Sequence, residues 1–446
     1  MFAKIRNNLS QMQMIAIGFF LIIMAGTLLL MTPAASRAGE MTDFLTALFT
    51  ATSSTCVTGL VVTDTFMHWS RFGHIIILTL IQIGGLGFIT LGFGFSLFLR
   101  RKISLRQRGL LRESVNVLNW DGIVKLAKRI IQGTVLFEGI GAVILTLCFL
   151  PKMKFTEALF YGVFHSISAF CNAGFDLMGQ FGFSSFVGYN TNWVVCLTLI
   201  ALILIGGIGF FVWNDLYLHK WHLRKYALHT KIVLCTTAIL TLGGAVLFFL
   251  LEKNHLFADM SNSSAVLNAL FCSVTPRTAG FNSIDTGALT ETSKLLTIIL
   301  MFIGGCPGST AGGIKVTTLV VLLLYLKSTL SRADSVNIFG RSIQKEAVLK
   351  AASVFTMNLF LSMVATFLIC SLQNLDLTAI IFEVVSAIST VGMSTGITSG
   401  LTIPGKMIII LLMYIGRVGS LSFAMSFTDK KKLAHVRQPA EPISIG

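Results

Sequence analysis

Four glycine-closed turns recur along this 446-residue chain, and their repetition constrains the fold more than any other feature. The turns end at evenly spaced glycines, which are Gly59, Gly174, Gly280 and Gly392. A second marker, a Gly-Gly or Gly-Arg pair inside a long apolar segment, follows every turn; the pairs begin at Gly84, Gly206, Gly304 and Gly416. Two independent markers that repeat in phase indicate that one structural unit occurs four times.

Each unit has the pattern of an apolar helix, a short apolar half-helix, the glycine turn and a second long helix. In the first unit the two long helices are predicted at about 13–32 and 72–99, and only the third unit has its second helix interrupted, at 304–315. The period accommodates two membrane-spanning helices and a pore segment. The predicted boundaries are residues 1–103, 104–219, 220–330 and 331–428 for the four repeats and 429–446 for a cytoplasmic tail.

Composition supports a membrane location for these helices. Hydrophobic residues make up 54% of the chain, charged residues only 12%, and the mean hydropathy is +0.81. These values exclude an ordinary soluble core. The net charge of +15 does not indicate nucleic-acid binding, because the basic residues fall in short loops between apolar spans. We therefore predict an all-α polytopic membrane protein with eight transmembrane helices and four pore half-helices in pseudo-fourfold arrangement around one pore.

The positions of lysine and arginine predict the orientation in the membrane. Of the 34 such residues, 24 lie in the N-terminus, in the loops at 100–129, 219–231 and 327–350, and in the tail after 429. Cytoplasmic loops carry this excess of positive charge, so both termini are expected in the cytoplasm and the half-helices enter from outside. The same three loops are candidates for docking a cytosolic partner, although topology and anionic lipid explain their charge equally well.

The glycine turns have the chemistry of an ion filter, and Ser389–Met393 resembles one strand of a potassium-channel selectivity filter. A half-helix that ends at the turn directs its negative dipole end to the centre of the protein, and glycine lets the preceding carbonyls face the axis. Four strands from one chain can then encircle a cation. The predicted K+ ligands are Val57, Thr58, Gly59, Asn172, Ala173, Gly174, Thr278, Ala279, Gly280, Thr390, Val391 and Gly392.

The interrupted third unit is the predicted gate. Small residues directly below the filter would let a loop lie across the pore, and a fixed kink is the alternative. A phosphate-binding loop is disfavoured because Gly308 and Gly313 are not followed by Lys-Ser/Thr. The predicted gate residues are Gly304, Gly305, Cys306, Pro307, Gly308, Ser309, Thr310, Ala311, Gly312, Gly313, Lys315 and Arg417.

Charged residues near the pore leave several roles open. Arg417 stands where the first two units have glycine, at a depth where its charge costs at least about 3 kcal/mol. It could hold the loop, raise a barrier to cations, or clamp backbone carbonyls. Arg277, three residues before Gly280, is expected to brace the filter from behind. Asp64, Asp176 and Asp285 follow the first three turns and either concentrate cations at an outer vestibule or cap short turns.

These motifs together resemble the Trk/Ktr/HKT superfamily of cation transporters, most closely the membrane subunit of a bacterial Ktr potassium-uptake system. The resemblance implies a homodimeric pore protein in the bacterial cytoplasmic membrane, with potassium preference because Gly59 replaces the serine of sodium-selective relatives. It also implies a separate cytosolic ring of nucleotide-binding subunits whose ATP or ADP state controls the gate. Sodium-dependent activity is common in Ktr systems, but the sequence contains no recognisable sodium site.

Two other classes of protein compete with this interpretation. An integral-membrane enzyme would need converging acid, base and nucleophile, and the deep His165 lacks a paired acid at helical spacing, so packing is its expected role. We expect no enzymatic activity and no covalently bound cofactor. A secondary transporter with broken helices is the stronger rival, but such proteins usually show two related halves, whereas this chain shows four quarters.

Overall fold

A computed structural model of the chain describes residues 11–87, 123–220, 222–421, 423 and 441. The first two predicted repeats contain α1 Gln11–Leu30, α2 Phe44–Cys56, α3 Thr65–His68, α4 Arg71–Leu86, α5 Ile123–Phe149, α6 Phe155–Phe170, α7 Trp193–Gly207 and α8 Phe210–His219. The last two contain α9 Leu228–Glu252, α10 Asn262–Val274, α11 Glu291–Ile303, α12 Val316–Leu330, α13 Lys345–Leu372, α14 Leu377–Ile388 and α15 Ile403–Val418. A two-stranded antiparallel sheet, β1 Asn337–Ile338 and β2 Arg341–Ser342, links α12 to α13. Short 3-10 helices cover Pro33–Ala35, Met178–Phe181, Ser185–Tyr189 and Leu223–Lys225.

The first helix of each repeat is long and apolar enough to cross a membrane. Among the described residues, four single helices meet that standard: Met12–Leu30, Val124–Phe149, Leu228–Glu252 and Lys345–Leu372. The pair α7 and α8 forms a fifth candidate if a bend of 93° is allowed within one span. The expected membrane character is therefore confirmed, while the count of eight spans stays a prediction.

The second helices differ from the expectation of a single interruption in the third repeat. Helix α4 ends at Leu86, followed by Gly87 at φ 78°, so the predicted helix at 72–99 is wrong as a continuous element; residues 88–99 lie outside the described part. Gly209, at φ 100°, lies at the bend between α7 and α8, and Gly419, at φ 93°, follows α15. A left-handed backbone conformation cannot continue an α-helix, so glycine ends the second helix in these repeats as well.

The loop boundaries also need correction. Helix α5 begins at Ile123, so the last part of the predicted basic loop at 100–129 is helical, and its residues 100–122 lie outside the described part. Helix α9 begins at Leu228 and therefore takes the end of the 219–231 loop. Only the middle of the 327–350 segment is a loop, and it carries the small sheet. The N-terminal residues before 11 and the 429–446 tail, apart from residue 441, are outside the described part.

The four half-helices α2, α6, α10 and α14 form the buried centre. Asp43, Ser261 and Asp376 start three of them by accepting backbone N–H groups of the first turn, which are otherwise without a partner. A fully buried phenylalanine recurs in all four; these residues are Phe49, Phe164, Phe271 and Phe382. It stands ten residues before the turn glycine in three repeats and nine before Gly280, so the third repeat is one residue shorter there.

Each second helix packs against the half-helix of its own repeat and that of the next. Thus α4 contacts α2 and α6, α7 contacts α6 and α10, α11 contacts α10 and α14, and α15 contacts α14 and α2. Because α15 of the fourth repeat returns to α2 of the first, these contacts close a ring. The ring brings the C-terminal ends of the half-helices, and the glycine turns that follow them, to one place.

Candidate functional site

The four turn glycines lie side by side in a closed cycle. A Cβ atom added to Gly59 would lie 2.5 Å from the Ala173 carbonyl oxygen, and one on Gly174 would lie 2.8 Å from that of Ala279. A Cβ on Gly280 would lie 2.5 Å from the oxygen of Val391. A Cβ on Gly392 would come closest of all, to the oxygen of Thr58. Each turn thus contacts the carbonyl that precedes the next glycine, and the backbones approach so closely that only glycine fits.

Two residues in each turn adopt left-handed backbone angles. The glycines have φ between 70° and 95°, and the residue two positions earlier is also left-handed in all four turns. Those residues are Val57 at 57°, Asn172 at 59°, Thr278 at 73° and Thr390 at 51°. Each such residue costs about 1–3 kcal/mol and persists only where the surroundings enforce it. The β-branched Val57, Thr278 and Thr390 have no sequence signal for this conformation.

Hydrogen bonds to the half-helices hold the turns. Thr58 N–H donates to the Ser53 carbonyl over 2.8 Å, and Gly59 N–H donates to Ser53 Oγ over 3.1 Å. The fourth turn repeats this arrangement, with Val391 and Gly392 donating to Ser386 over 2.8 and 3.1 Å. Because the N–H and C=O of a trans peptide point in opposite directions, the carbonyls of Val57 and Thr58 face away from α2.

The second and third turns use the same positions with a different hydroxyl contact. Ala173 N–H donates to the Ser168 carbonyl over 2.8 Å, and Ala279 N–H donates to that of Thr275 over 2.9 Å. The hydroxyls of Ser168 and Thr275 donate forward to the carbonyls of Phe175, over 2.7 Å, and Phe281, over 2.5 Å. Sequence reasoning missed these four hydroxyl residues, although a serine six positions before three of the glycines was a usable signal.

The inner surface of the cycle is rich in oxygen. By the peptide geometry above, the carbonyls before Thr58, Ala173, Ala279 and Val391 point away from the half-helices. The hydroxyls of Thr58 and Thr390 are buried and have no hydrogen-bond partner within the described part of the chain. The Asn172 amide lies 3.3 Å from Thr278 Oγ1 and links two neighbouring turns. The predicted filter residues are thus brought together, and oxygen atoms of this kind are suited to a dehydrated cation.

The segment 304–315 lies directly against the fourth turn. A Cβ on Gly312 would overlap the Thr390 hydroxyl, and one on Gly313 would lie 3.1 Å from Ser389 Cβ. Lys315 Nζ donates to the carbonyls of Ala311 and Gly312 over 2.8 and 2.9 Å. These bonds fold the segment on itself beside the fourth turn, and its role as a gate stays a prediction.

The broken second helix of repeat 2 binds the same segment. The N–H groups of Cys306 and Thr310 donate to the carbonyls of Gly207 and Gly206 over 3.2 and 3.3 Å. Phe210 N–H donates to the Gly308 carbonyl over 2.8 Å. These are the terminal carbonyls of α7 and the first N–H of α8, which a helix end leaves without partners. The backbone groups that the bend at Gly209 leaves without partners therefore form their hydrogen bonds with the loop in repeat 3.

Arg417 connects the segment to the first repeat. Its guanidinium donates to the carbonyls of Thr310, Gly84 and Gly85, the last over 3.1 Å. Gly84 and Gly85 lie in the last turn of α4, where the helix presents partial negative charge. The sequence left three roles open for Arg417. This one set of contacts combines two of them, because the side chain holds the loop by clamping backbone carbonyls.

Arg277 lies behind the third turn. Its Nη1 donates to Thr241 Oγ1 and its Nη2 to Thr237 Oγ1, each over 3.2 Å, and both threonines belong to α9. The side chain is 5% exposed. A planar guanidinium can bond two such groups at once, and this contact ties the turn to the outer helix as the sequence position predicted.

The three aspartates of the predicted vestibule each accept a local backbone N–H. Asp64 accepts from Met67 over 2.7 Å, Asp176 from Met178 over 2.9 Å and Asp285 from Gly287 over 2.9 Å. Turn capping is therefore an observed role of all three. Their second role, in attracting cations to the outer mouth, stays a prediction.

No group of three or more histidine, cysteine or carboxylate side chains that could hold a metal occurs among residues the structure describes. His165 is fully buried, and both ring nitrogens bond to backbone groups, of Tyr161 and Leu177. The expected packing role of this histidine agrees with its contacts. The oxygen-lined ring is the candidate site.

Comparison with known proteins identifies relatives over nearly the full length. Residues 4–435 match the family TrkH, described as a cation transport protein. The potassium/sodium uptake protein NtpJ of Enterococcus hirae is 41% identical, with 99% of each chain covered. The Ktr system potassium uptake protein B of Bacillus subtilis is 38% identical, over 97% of this chain and 96% of that protein.

A solved structure shows the same fold. The crystal structure of the potassium transporter TrkH from Vibrio parahaemolyticus superposes with a TM-score of 0.71 and covers 92% of this chain and 84% of that one. The two sequences are 20% identical, so this likeness concerns the fold alone.

Proposed function

Because this chain belongs to the TrkH family of cation transport proteins, we propose that it is the membrane subunit through which potassium enters a bacterial cell. The ion passes along the axis of the four glycine turns. The observation that carries this proposal is the closed cycle in which each turn presents a carbonyl to the next glycine. Backbone carbonyls in such a ring replace the hydration shell of the ion.

Charge at the ring favours a cation. The half-helices α2, α6, α10 and α14 end at the turns, so their C-terminal ends supply partial negative charge from four directions. Glycine at all four turns supports potassium preference, as the family resemblance implies. The printed name of the Enterococcus relative includes sodium as well as potassium, so sodium passage is the second candidate activity.

The experiment is flux of rubidium and sodium into liposomes that contain this chain alone. Rubidium uptake that potassium suppresses far better than sodium supports the proposal. Equal uptake of both cations favours the second candidate. If neither cation is taken up, although circular dichroism shows that the protein in the vesicles is folded, both candidate activities are refuted.

We assign the gate to residues 304–315 together with Arg417. The segment lies against the fourth turn, and hydrogen bonds to backbone groups of α7 and α8 and to the Arg417 guanidinium hold it there. Deleting Cys306–Ala311 should raise rubidium flux in the absence of any partner. A deletion variant that folds and conducts at the parental rate would contradict this assignment.

Assembly and topology follow the same family expectation. We propose eight spans with both termini in the cytoplasm, repeats divided near residues 103, 219 and 330, a homodimer, and a cytosolic nucleotide-binding ring docked on the basic loops. The name of the Bacillus relative as a component of a Ktr system supports a partner subunit. Two measurements test the partnership: co-purification with the ring protein, and a rubidium flux that differs between ATP and ADP. Neutralising Arg341, Lys345 and Lys350 tests the docking surface.

A further inference from the structure

One position of the half-helices has a different side chain in each repeat. It is the residue three before the hydroxyl residue that holds the turn, and its occupants are Thr50, His165, Cys272 and Glu383. All are buried, and those of the second and fourth repeats are 0% and 1% exposed. An ionisable side chain buried at this depth requires specific partners.

Glu383 bonds the segment that follows the fourth turn. Its Oε2 accepts from Ser394 Oγ over 2.7 Å, and its Oε1 accepts from Thr398 Oγ1 over 2.5 Å. Ser394 is two residues beyond Gly392, and its Oγ also accepts from Gly396 N–H over 3.0 Å. The carboxylate thus fixes the outer strand of the fourth turn at two points.

His165 makes the corresponding contact in the second repeat. Its Nδ1 lies 2.8 Å from the Tyr161 carbonyl, so that nitrogen carries the hydrogen, and Nε2 accepts from Leu177 N–H over 3.0 Å. Leu177 is three residues beyond Gly174. Edge-to-face contacts with Phe149 and Phe186, at centroid distances of 5.8 and 5.0 Å, fix the ring.

We propose that Glu383 and His165 are positioning residues for ion selectivity, each holding the outer end of its filter strand at a fixed distance from the axis. The inference rests on the proposed function. Because the ring closes in the order of the chain, repeats 2 and 4 face each other across it. The two contacts therefore act on opposite strands and set one diameter of the filter's outer end.

The first experiment uses the full chain in liposomes and measures rubidium and sodium flux together. Glu383→Ala removes both acceptors of Ser394 and Thr398 and is expected to lower the rubidium-to-sodium ratio about ten-fold, equivalent to about 1.4 kcal/mol. Glu383→Gln keeps one acceptor oxygen and should lower the ratio only about three-fold. Glu157→Ala is the matched control. This glutamate lies in the first turn of the half-helix α6, its ion pair among the described residues is with Arg71 at 3.7 Å on the surface, and its loss should leave the ratio unchanged.

Conservative substitutions at the hydrogen-bonding residues test these contacts without creating a large cavity in the buried site. Ser394→Ala and Thr398→Val should each lower the ratio about three-fold, and neither should add to the effect of Glu383→Ala, because the three residues act through one contact. His165→Phe keeps the aromatic packing and removes the acceptor of Leu177, so the ratio should fall, and the melting temperature should also fall because a buried N–H is left without an acceptor. His165→Gln places an amide oxygen near the former Nε2 and should restore part of the ratio.

The outcomes separate this inference from the proposed function. Absence of cation flux in the unmodified chain refutes the function itself. Selective flux in the unmodified chain, with an unchanged ratio in Thr398→Val and His165→Phe, refutes the positioning role alone. If Glu383→Ala fails to fold, the Thr398→Val and His165→Phe ratios decide. If it folds, additive effects of Glu383→Ala and Thr398→Val would also contradict a shared contact.

Discussion

Alanine substitution of the four turn glycines is expected to have unequal effects, in an order that the ring geometry sets. Every one of these positions has positive φ, so each alanine variant shares a backbone cost of about 1–2 kcal/mol. The clash of the new Cβ differs. It lies 2.8 Å from the neighbouring oxygen at Gly174, 2.5 Å at Gly59 and Gly280, and closer still at Gly392.

Real Cβ atoms essentially never come within 3.0 Å of another heavy atom, so the neighbouring oxygen must move least at Gly174 and further at Gly59 and Gly280. At Gly392 the required shift is largest and falls on the Thr58 carbonyl. Each displaced oxygen belongs to the proposed filter, so the loss of potassium-over-sodium selectivity should rise in the order Gly174, then Gly59 and Gly280, then Gly392. A selectivity loss that costs about 1.4 kcal/mol is ten-fold, and we expect Gly392→Ala to exceed it.

The assay is rubidium uptake in liposomes with potassium or sodium as competitor. Gly182→Ala is the control for backbone strain, because Gly182 has φ 72° but no atom within 4 Å of an added Cβ. It should lose stability without losing selectivity. Equal selectivity in all four variants, or a greater loss at Gly174 than at Gly392, would refute the ring reasoning.

Three further changes test the contacts around the ring. Arg417→Gln removes the guanidinium from the Thr310 carbonyl, so flux without a partner should increase, and stability should fall by about 1–3 kcal/mol because that carbonyl loses its donor. Rubidium uptake and thermal melting measure the two effects, Arg341→Gln on an exposed strand is the control, and an unchanged flux would count against a gate. Lys315→Met removes two loop bonds of 2.8 and 2.9 Å and should raise flux in the same assay, whereas lower flux in a folded variant would contradict a closing role for the loop. Arg277→Lys can no longer bond Thr237 and Thr241 together and should lower the melting temperature, by the equivalent of about 1 kcal/mol; an unaltered melting curve would show that the brace is dispensable.

Sequence reasoning succeeded where one residue type has one physical use. The spacing of Gly59, Gly174, Gly280 and Gly392 predicted a common unit, and the structure places these glycines in mutual contact. The apolar run of α1 and the half-helices were likewise recognisable, because length and hydropathy together determine what can cross or enter a bilayer.

The parts that sequence reasoning missed depend on contacts between distant segments. Glycine is tolerated inside a helix, so Gly87 and Gly209 could not be distinguished from ordinary helical glycines until their partners were known. Two of the acceptors of Arg417, the carbonyls of Gly84 and Gly85, lie in the last turn of α4, which ends at Leu86, and nothing in the sequence indicated this helix end. The left-handed Val57 is enforced by the hydrogen bonds of its neighbours and not by its own side chain. Turn capping by Asp64, in contrast, depends on neighbouring residues alone. It was one of the two roles predicted from the sequence, and the structure shows this contact.

The most direct test of the ion path is to locate the ion itself. Anomalous scattering from crystals of the full chain grown in rubidium should show a peak on the ring axis, between the carbonyl oxygens of Thr58, Ala173, Ala279 and Val391. The peak should weaken when potassium replaces rubidium and persist when sodium is added. An empty axis together with an ordered rubidium site elsewhere in the membrane region would contradict the account.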